Sequence, residues 1–347
     1  MKVNINTLSG HFNFGNKLQN YALQEVLKRM NYDVETTFYY SNNRIVEIIK
    51  NYIKYITNKR FVNFIKFDKK IKYSNNYAIK NKMYQKQVYD YYIVGSDQIW
   101  NVTLPSFTSL YLLENIPSNK RIAYAASFGI DELPQEYKEL FSSELKKFKS
   151  ISVRENSGKK IIDKIINNSD VEVVLDPTLL LSKDEWSKVE KKPKNCNCKK
   201  YILNYFLGEL PETIKEEIQK IADENNCEII NILDKKDKYY NSGPSEFLWL
   251  EKNAFLICTD SYHASVFAFI YNRPFIVFDR IDKNKSMKSR ISTLLTKLEI
   301  GNREYNGKEI TKENLKHDYS HAYTILENEQ KKSIIFLEKS LEGYNEK

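Results

Sequence analysis

Glycine is scarce in this chain, ten residues in 347, and nowhere do these fall into G-x-G-x-x-G. That argues against a nicotinamide dinucleotide site, which needs glycines for a tight turn and for close approach of the pyrophosphate. Cysteine is scarcer still. Cys196, Cys198, Cys227 and Cys258 do not make a disulfide framework. Cys196 and Cys198 form a C-x-C in a lysine-rich loop with no second ligand pair nearby, so no metal is expected. No apolar run reaches the about 18 residues of a membrane helix. The opening MKVNINTLSGHFNFGN has no apolar signal-peptide core, and the expected location is cytoplasmic. Helix-turn-helix, zinc-finger and RNP-like motifs are missing, so nucleic acid is not an expected partner.

A hydrophobic fraction of 41% over 347 residues is ordinary for a globular chain and long enough for two domains. The net charge of +9 suits acidic substrates or anionic headgroups, although abundant Lys, Asn, Ile and Tyr also reflect a compositional bias. Segment 44–73 is basic and amphipathic. The simpler reading is a helix pair packed on its own domain with a solvated lysine face. The alternative is peripheral association with the inner face of a membrane.

Residues 253–278, NAFLICTDSYHASVFAFIYNRPFIVF, say most about function. A buried strand (255–258) runs into Thr259-Asp260-Ser261-Tyr262-His263. An apolar helix (264–271), an Asn272-Arg273-Pro274 turn and a second strand (275–278) follow. In open α/β sheets ligands bind at the carboxyl ends of strands, and a helix N-terminus offers N–H groups to anions. His263, one of four histidines, interrupts an apolar stretch there. A histidine satisfied by a neighbouring carbonyl is the bland alternative. Asp260 or Ser261 can cap the helix and fix the imidazole. A bound phosphate or carboxylate would favour its acidic form.

Strand and helix patterns alternate throughout, which predicts α/β with mostly parallel sheets. Predicted strands end in Gly95-Ser96-Asp97, in Phe128-Gly129, in Arg154-Glu155 and in Asp176-Pro177-Thr178, which together read as one ligand-lined sheet rim. A helix from about Lys17 follows a polar turn at 7–16. A charged linker separates an N-terminal domain, 1–185, from a C-terminal one, 200–347, whose last helix is placed to cross back. Two Rossmann-like domains facing across a cleft make a GT-B-like architecture.

The order of short motifs resembles bacterial polysaccharide pyruvyl transferases. The pieces are NFGNKLQNYALQ (13–24), DYYIVGSDQIWN (90–101), RIAYAASFG (121–129), ISVRENSG (151–158), VVLDPTLLL (173–181), YILNYFLG (201–208), TDSYHASVFAFI (259–270) and SRISTLL (289–295). The resemblance implies a phosphoenolpyruvate-dependent enzyme of surface polysaccharide biosynthesis. It would transfer pyruvate to a saccharide, or a lipid-linked saccharide, as a cyclic ketal, with no cofactor. One departure stands out: the family's Ser-x-His-Gly is Ser261-Tyr262-His263-Ala264 here. His263 is then the candidate acid for the methylene carbon, with Asp97 or Asp176 as base or sugar ligand. Arg154, Arg273 and Arg290 are candidate anion forks. Asn16, Ser96, Asp260 and Ser261 complete the expected substrate contacts. A nucleotide-sugar glycosyltransferase on the same architecture and a non-catalytic member remain the alternatives.

Overall fold

The computed structural model describes every residue except 9, 41–43, 80–81, 168–169, 195, 282–287 and 343–347. Its strands are β1 Lys2–Asn6, β2 Asp33–Tyr40, β3 Tyr73–Ile79, β4 Lys82–Tyr84, β5 Tyr91–Val94, β6 Arg121–Ala126, β7 Ser150–Val153, β8 Glu172–Val173, β9 Tyr201–Tyr205, β10 Glu228–Asn231, β11 Leu256–Thr259 and β12 Phe275–Val277. Its helices are α1 Phe14–Arg29, α2 Arg44–Thr57, α3 Lys59–Asp68, α4 Gln135–Leu145, α5 Asn156–Ile166, α6 Lys183–Ser187, α7 Glu212–Glu224, α8 Pro244–Asn253, α9 Tyr262–Ile270, α10 Lys288–Lys297, α11 Lys312–Leu315 and α12 Ser320–Leu341. No described helix is long and apolar enough to cross a membrane.

The chain forms two compact units. The first comprises residues 1–57, 68–180 and 327–347, the second 58–67 and 181–326. The division differs from a simple N- and C-terminal split in two places. α3 belongs to the second unit, where Phe61, Phe64 and Phe67 are buried and Asn63 Nδ2 donates to the Asn241 carbonyl at 2.8 Å. Gly243 permits this approach, since a Cβ there would lie 2.8 Å from the Asn63 backbone. The end of α12 belongs to the first unit, where Ser333 Oγ accepts the Leu175 N–H at 3.0 Å.

The sheet of the first unit runs β4-β3-β2-β1-β5-β6-β7-β8, parallel except for β4 against β3. Apart from β4 this is the doubly wound order, and it reverses direction between β1 and β5. β1 is a central strand buried on both faces, with Val3 and Ile5 on one and Asn4 and Asn6 on the other. The asparagines are satisfied from neighbouring positions. Asn6 Nδ2 donates to Asn4 Oδ1 at 3.0 Å, Thr37 Oγ1 to Asn4 Oδ1 at 2.7 Å, and Tyr39 OH to Asn6 Oδ1 at 2.9 Å. α1 starts before Lys17 because Asn13 caps it, accepting the Asn16 N–H.

The sheet of the second unit runs β10-β9-β11-β12, all parallel. Its reversal lies between β9 and β11. α7 packs Ile214, Ile218 and Ile221 into the core beside Ile202 and Leu256. α8 carries a fully buried acid, Glu251, whose two carboxyl oxygens make no hydrogen bond among the described residues. Burial pushes this carboxyl well above the usual range. Between its unfolded and folded values the native state holds a proton that the unfolded chain has lost, so stability falls as pH rises through that window. Glu251→Gln is therefore expected to raise the denaturant midpoint at pH 7 and to leave it nearly unchanged at pH 4. A lower midpoint at pH 7 would mean that the acid is ionised and paired.

Candidate functional site

Each sheet reversal is a place where neighbouring loops diverge and leave a crevice. In the second unit the loop after β9 and the start of α9 meet there. Asp260, 3% exposed, joins them: Leu207 N–H donates to Oδ1 at 2.8 Å and Gly208 N–H to Oδ2 at 2.7 Å. Arg280, just beyond β12, approaches from the other side. Its Nε lies 3.3 Å from Asp260 Oδ2, and its Nη2 donates to the Asp260 carbonyl at 3.2 Å. Gly208 must be glycine for this to close. A Cβ would sit 2.7 Å from Arg280 Cγ and 2.8 Å from the Ile281 carbonyl.

Asp260 therefore does not cap α9. Ser261 occupies the N-cap position but makes no side-chain cap bond, and its carbonyl accepts Ser265 Oγ at 3.0 Å. Thr259 supplies the local order instead, accepting the Ser261 N–H at 2.9 Å and donating to the Tyr205 carbonyl at 2.6 Å. His263 lies in the first turn, 7% exposed, with the Tyr262 ring edge-on at 5.3 Å. The result is a helix N-terminus bearing an imidazole, beside a guanidinium held in place by a buried carboxylate. Such a set receives anions and can move a proton.

The candidate arginines part company here. α10, carrying buried Arg290, packs against α9. Arg273 does not belong. Its turn leads into β12, so it sits at the amino end of that strand, while Asp260 and His263 follow the carboxyl end of parallel β11. Its carbonyl accepts Tyr319 OH at 3.2 Å. The sequence does not single out Arg280, because the last strand reads as ending at Phe278. The rule that polar residues at strand ends are site candidates would have found it two residues further on.

In the first unit the strand-end residues do converge, but on one another. Arg154 Nη1 lies 2.8 Å from Asp176 Oδ2, Nη2 3.5 Å from Asp97 Oδ1, and Nε 3.8 Å from Glu155 Oε2. Ser96 Oγ is 2.9 Å from Asp176 Oδ2 and 3.1 Å from the Ala125 carbonyl, its one proton shared. Thr178 Oγ1 donates to Asp176 Oδ1 at 2.6 Å. Asp176, Ser96 and Glu155 are completely buried. This geometry makes Arg154 a clamp for three carboxylates, with Asp176 at its centre. Asp97, 5% exposed with φ of 63°, also accepts the Gln98 N–H at 2.9 Å, and Ser96 is structural.

Asn16 faces elsewhere. A cavity of about 430 Å³ opens beside the reversal of the first sheet, within the size range of small-ligand sites. Phe38, Tyr40, Phe107 and Tyr111 give it aromatic walls, and Asn16, His11 and Glu47 give it polar groups. Asn16 is 7% exposed, and its Oδ1 accepts no hydrogen bond among the described residues. Burial, with repulsion from Lys17 and Lys54, lowers His11 to about 4. At neutral pH it is an uncharged imidazole, able to donate to or accept from a hydroxyl.

No curated protein matches the chain significantly. Solved structures do. A UDP-GlcNAc 2-epimerase from Methanocaldococcus jannaschii is similar with a TM-score of 0.50 at 14% identity, over 94% of this chain and 92% of that one. The corresponding figures are 0.39, 11%, 97% and 94% for MurG of Acinetobacter baumannii. For a functionally uncharacterised Klebsiella pneumoniae protein they are 0.38, 13%, 82% and 86%. At such identities the likeness to the epimerase speaks for the fold alone, which is of the GT-B class. The sequence itself says more. The profile of one transferase family runs through both units, over residues 13–282, and takes in Asn16, the Arg154 clamp and the Asp260–His263 loop. On that match the chain belongs to the polysaccharide pyruvyl transferase family.

Proposed function

We propose that this protein transfers the pyruvyl group of phosphoenolpyruvate to two hydroxyls of a saccharide, forming a cyclic ketal and releasing phosphate. The observation that carries the reading is the loop after β11, where His263 stands at a helix N-terminus beside the Asp260-anchored Arg280. The donor is a small polyanion. Arg280 offers it a planar fork, and the first N–H groups of α9 offer it a positive dipole end.

The steps balance without a redox partner. His263 gives a proton to the methylene carbon, which becomes the methyl group, and positive charge develops at C2. One sugar hydroxyl adds there. The C2–O bond to phosphate then breaks, phosphate leaves, and the second hydroxyl closes the ring. Of the two hydroxyl protons, one restores the acid and one leaves with phosphate. Taken by itself, the aromatic-walled cavity of the first unit is a second candidate carbohydrate site. Ring faces there suit the apolar side of a pyranose, and Asn16, His11 and Glu47 suit its hydroxyls.

The test is phosphate release from phosphoenolpyruvate in the presence of galactose, mannose, glucose and N-acetylhexosamine acceptors, free and lipid-linked. Release that depends on the acceptor supports the reading. No release with any of them would count against it. A nucleotide sugar consumed instead would move the assignment to glycosyl transfer.

A further inference from the structure

α2, RIVEIIKNYIKYIT, is turned the wrong way round for a helix on a water-soluble surface. At about 100° per residue, Ile45, Ile48, Ile49, Tyr52, Ile53 and Ile56 fall within one arc of about 140°, as on any amphipathic helix. Such an arc ordinarily faces the core. Here it faces out. Ile45 and Ile56 are each 67% exposed, Tyr52 66% and Ile49 55%, and no residue of the helix is buried.

The polar side is the one turned inward. Glu47, Asn51 and Lys54 are half-buried. Asn51 Nδ2 lies 3.5 Å from His11 Nε2, Lys54 Nζ stands 5.9 Å from the Phe12 ring centroid, and Glu47 lines the 430 Å³ cavity. Arg44 fixes the start of the helix, 4.4 Å from the centroid of Tyr77 and 5.9 Å from that of Tyr40. The helix is thus held to the first unit by its polar side chains. It presents a continuous apolar band of a kind that soluble monomers rarely leave bare. The sequence alone favoured the opposite orientation, with lysines in solvent.

Charge decides what covers the band. Arg44 borders one edge and the exposed Lys50 lies toward the other, while Lys54 stays on the inward side. With Glu47 the helix carries three positive charges and one negative, on a chain of net +9. Two copies pressed face to face would bring cations together along both edges. An anionic lipid surface would neutralise them while taking up the isoleucines. Tyr52 and Tyr55 on the same band suit the headgroup boundary. At 1.5 Å per residue the helix is about 21 Å long, too short to span about 30 Å of hydrocarbon, so it must lie flat.

We propose that α2 is an interfacial anchor, laid in the headgroup layer of an anionic bilayer. The cavity that Glu47 lines then opens close to the lipid surface, where the sugar of a lipid-linked saccharide is presented. That last statement rests on the proposed function. The anchor does not.

The experiment is co-sedimentation of the full chain with vesicles of phosphatidylcholine alone, or with about a third phosphatidylglycerol to supply anionic charge. Neither donor nor acceptor is present, so the outcome is separate from that of the pyruvyl assay. The wild type is expected to sediment with the mixed vesicles far more than with the neutral ones. Ile49→Glu combined with Ile53→Glu is expected to lower that partition at least about tenfold. Both positions are exposed, and the melting temperature checks that the fold survives. Tyr52→Trp gives a second reading: its emission is expected to shift to the blue when mixed vesicles are added. Three outcomes would overturn the proposal. The wild type could remain in the supernatant with both vesicle types. The double variant could bind as the wild type does. Or the protein could be a dimer that dissociates in the double variant and shows no vesicle binding, which would assign the band to a second copy.

Discussion

His263→Gln is expected to lower turnover ~10²–10⁴-fold, the usual worth of a positioned acid, while the melting temperature stays close to that of the wild type. Glutamine keeps a polar group of similar reach in the first turn of α9. It cannot give up a proton to carbon. Phosphoenolpyruvate affinity should fall much less than turnover, because Arg280 and the helix N-terminus retain their contacts. A loss of kcat at nearly constant donor Kd is the signature of a group needed in the transition state. Phosphate release measured beside donor titration separates the two quantities. Turnover within about threefold of the wild type would remove His263 from the chemistry and leave it a histidine satisfied by its surroundings.

Arg154→Met should do the opposite, sparing no function because it spares no fold. Arg154 is the cation that Asp97, Glu155 and Asp176 share, at 3.5, 3.8 and 2.8 Å, and its side chain is 1% exposed. Methionine fills much of the volume but leaves three acids together without it. Breaking a buried pair from one side costs about 3–5 kcal/mol. Loss on that scale would appear as a large drop in the urea midpoint of the first unit's transition. An Arg154→Met protein with wild-type stability and lost donor affinity would show instead that this arginine is an anion receptor, as the sequence suggested.

That disagreement marks the limit of what the sequence showed. The β11–α9–β12 unit was legible because strand, polar turn, apolar helix and Asn-Arg-Pro turn follow one another without interruption. The strand ends carrying Ser96, Asp97, Arg154 and Asp176 were legible as one rim. Their function was not, since pairing across 22 residues (Arg154 with Asp176) and 57 residues (Arg154 with Asp97) leaves no local trace. The asparagines inside β1 leave no local trace of their partners either, since Asn4 and Asn6 are satisfied by Thr37 and Tyr39 of β2. Arg273 looked like a site residue by sequence proximity to His263. One pass of α9 carries it to the far end of the strands, whereas Arg280, seventeen residues from His263, returns to Asp260. For α2 the periodicity defined two faces but could not say which one meets the protein. Unit boundaries were obscured for a similar reason: α3 follows α2 directly, yet its phenylalanines pack in the second unit.

The central claim is that the reversal between β9 and β11 holds phosphoenolpyruvate, and calorimetric titration of the purified chain with that donor tests it without any need to know the acceptor. Saturable binding to the wild type is expected, with affinity weakened by about an order of magnitude in Arg280→Lys, where a point charge replaces the fork and Asp260 still holds the loop. Absence of binding by phosphoenolpyruvate, together with saturation by a UDP or GDP sugar, would contradict it.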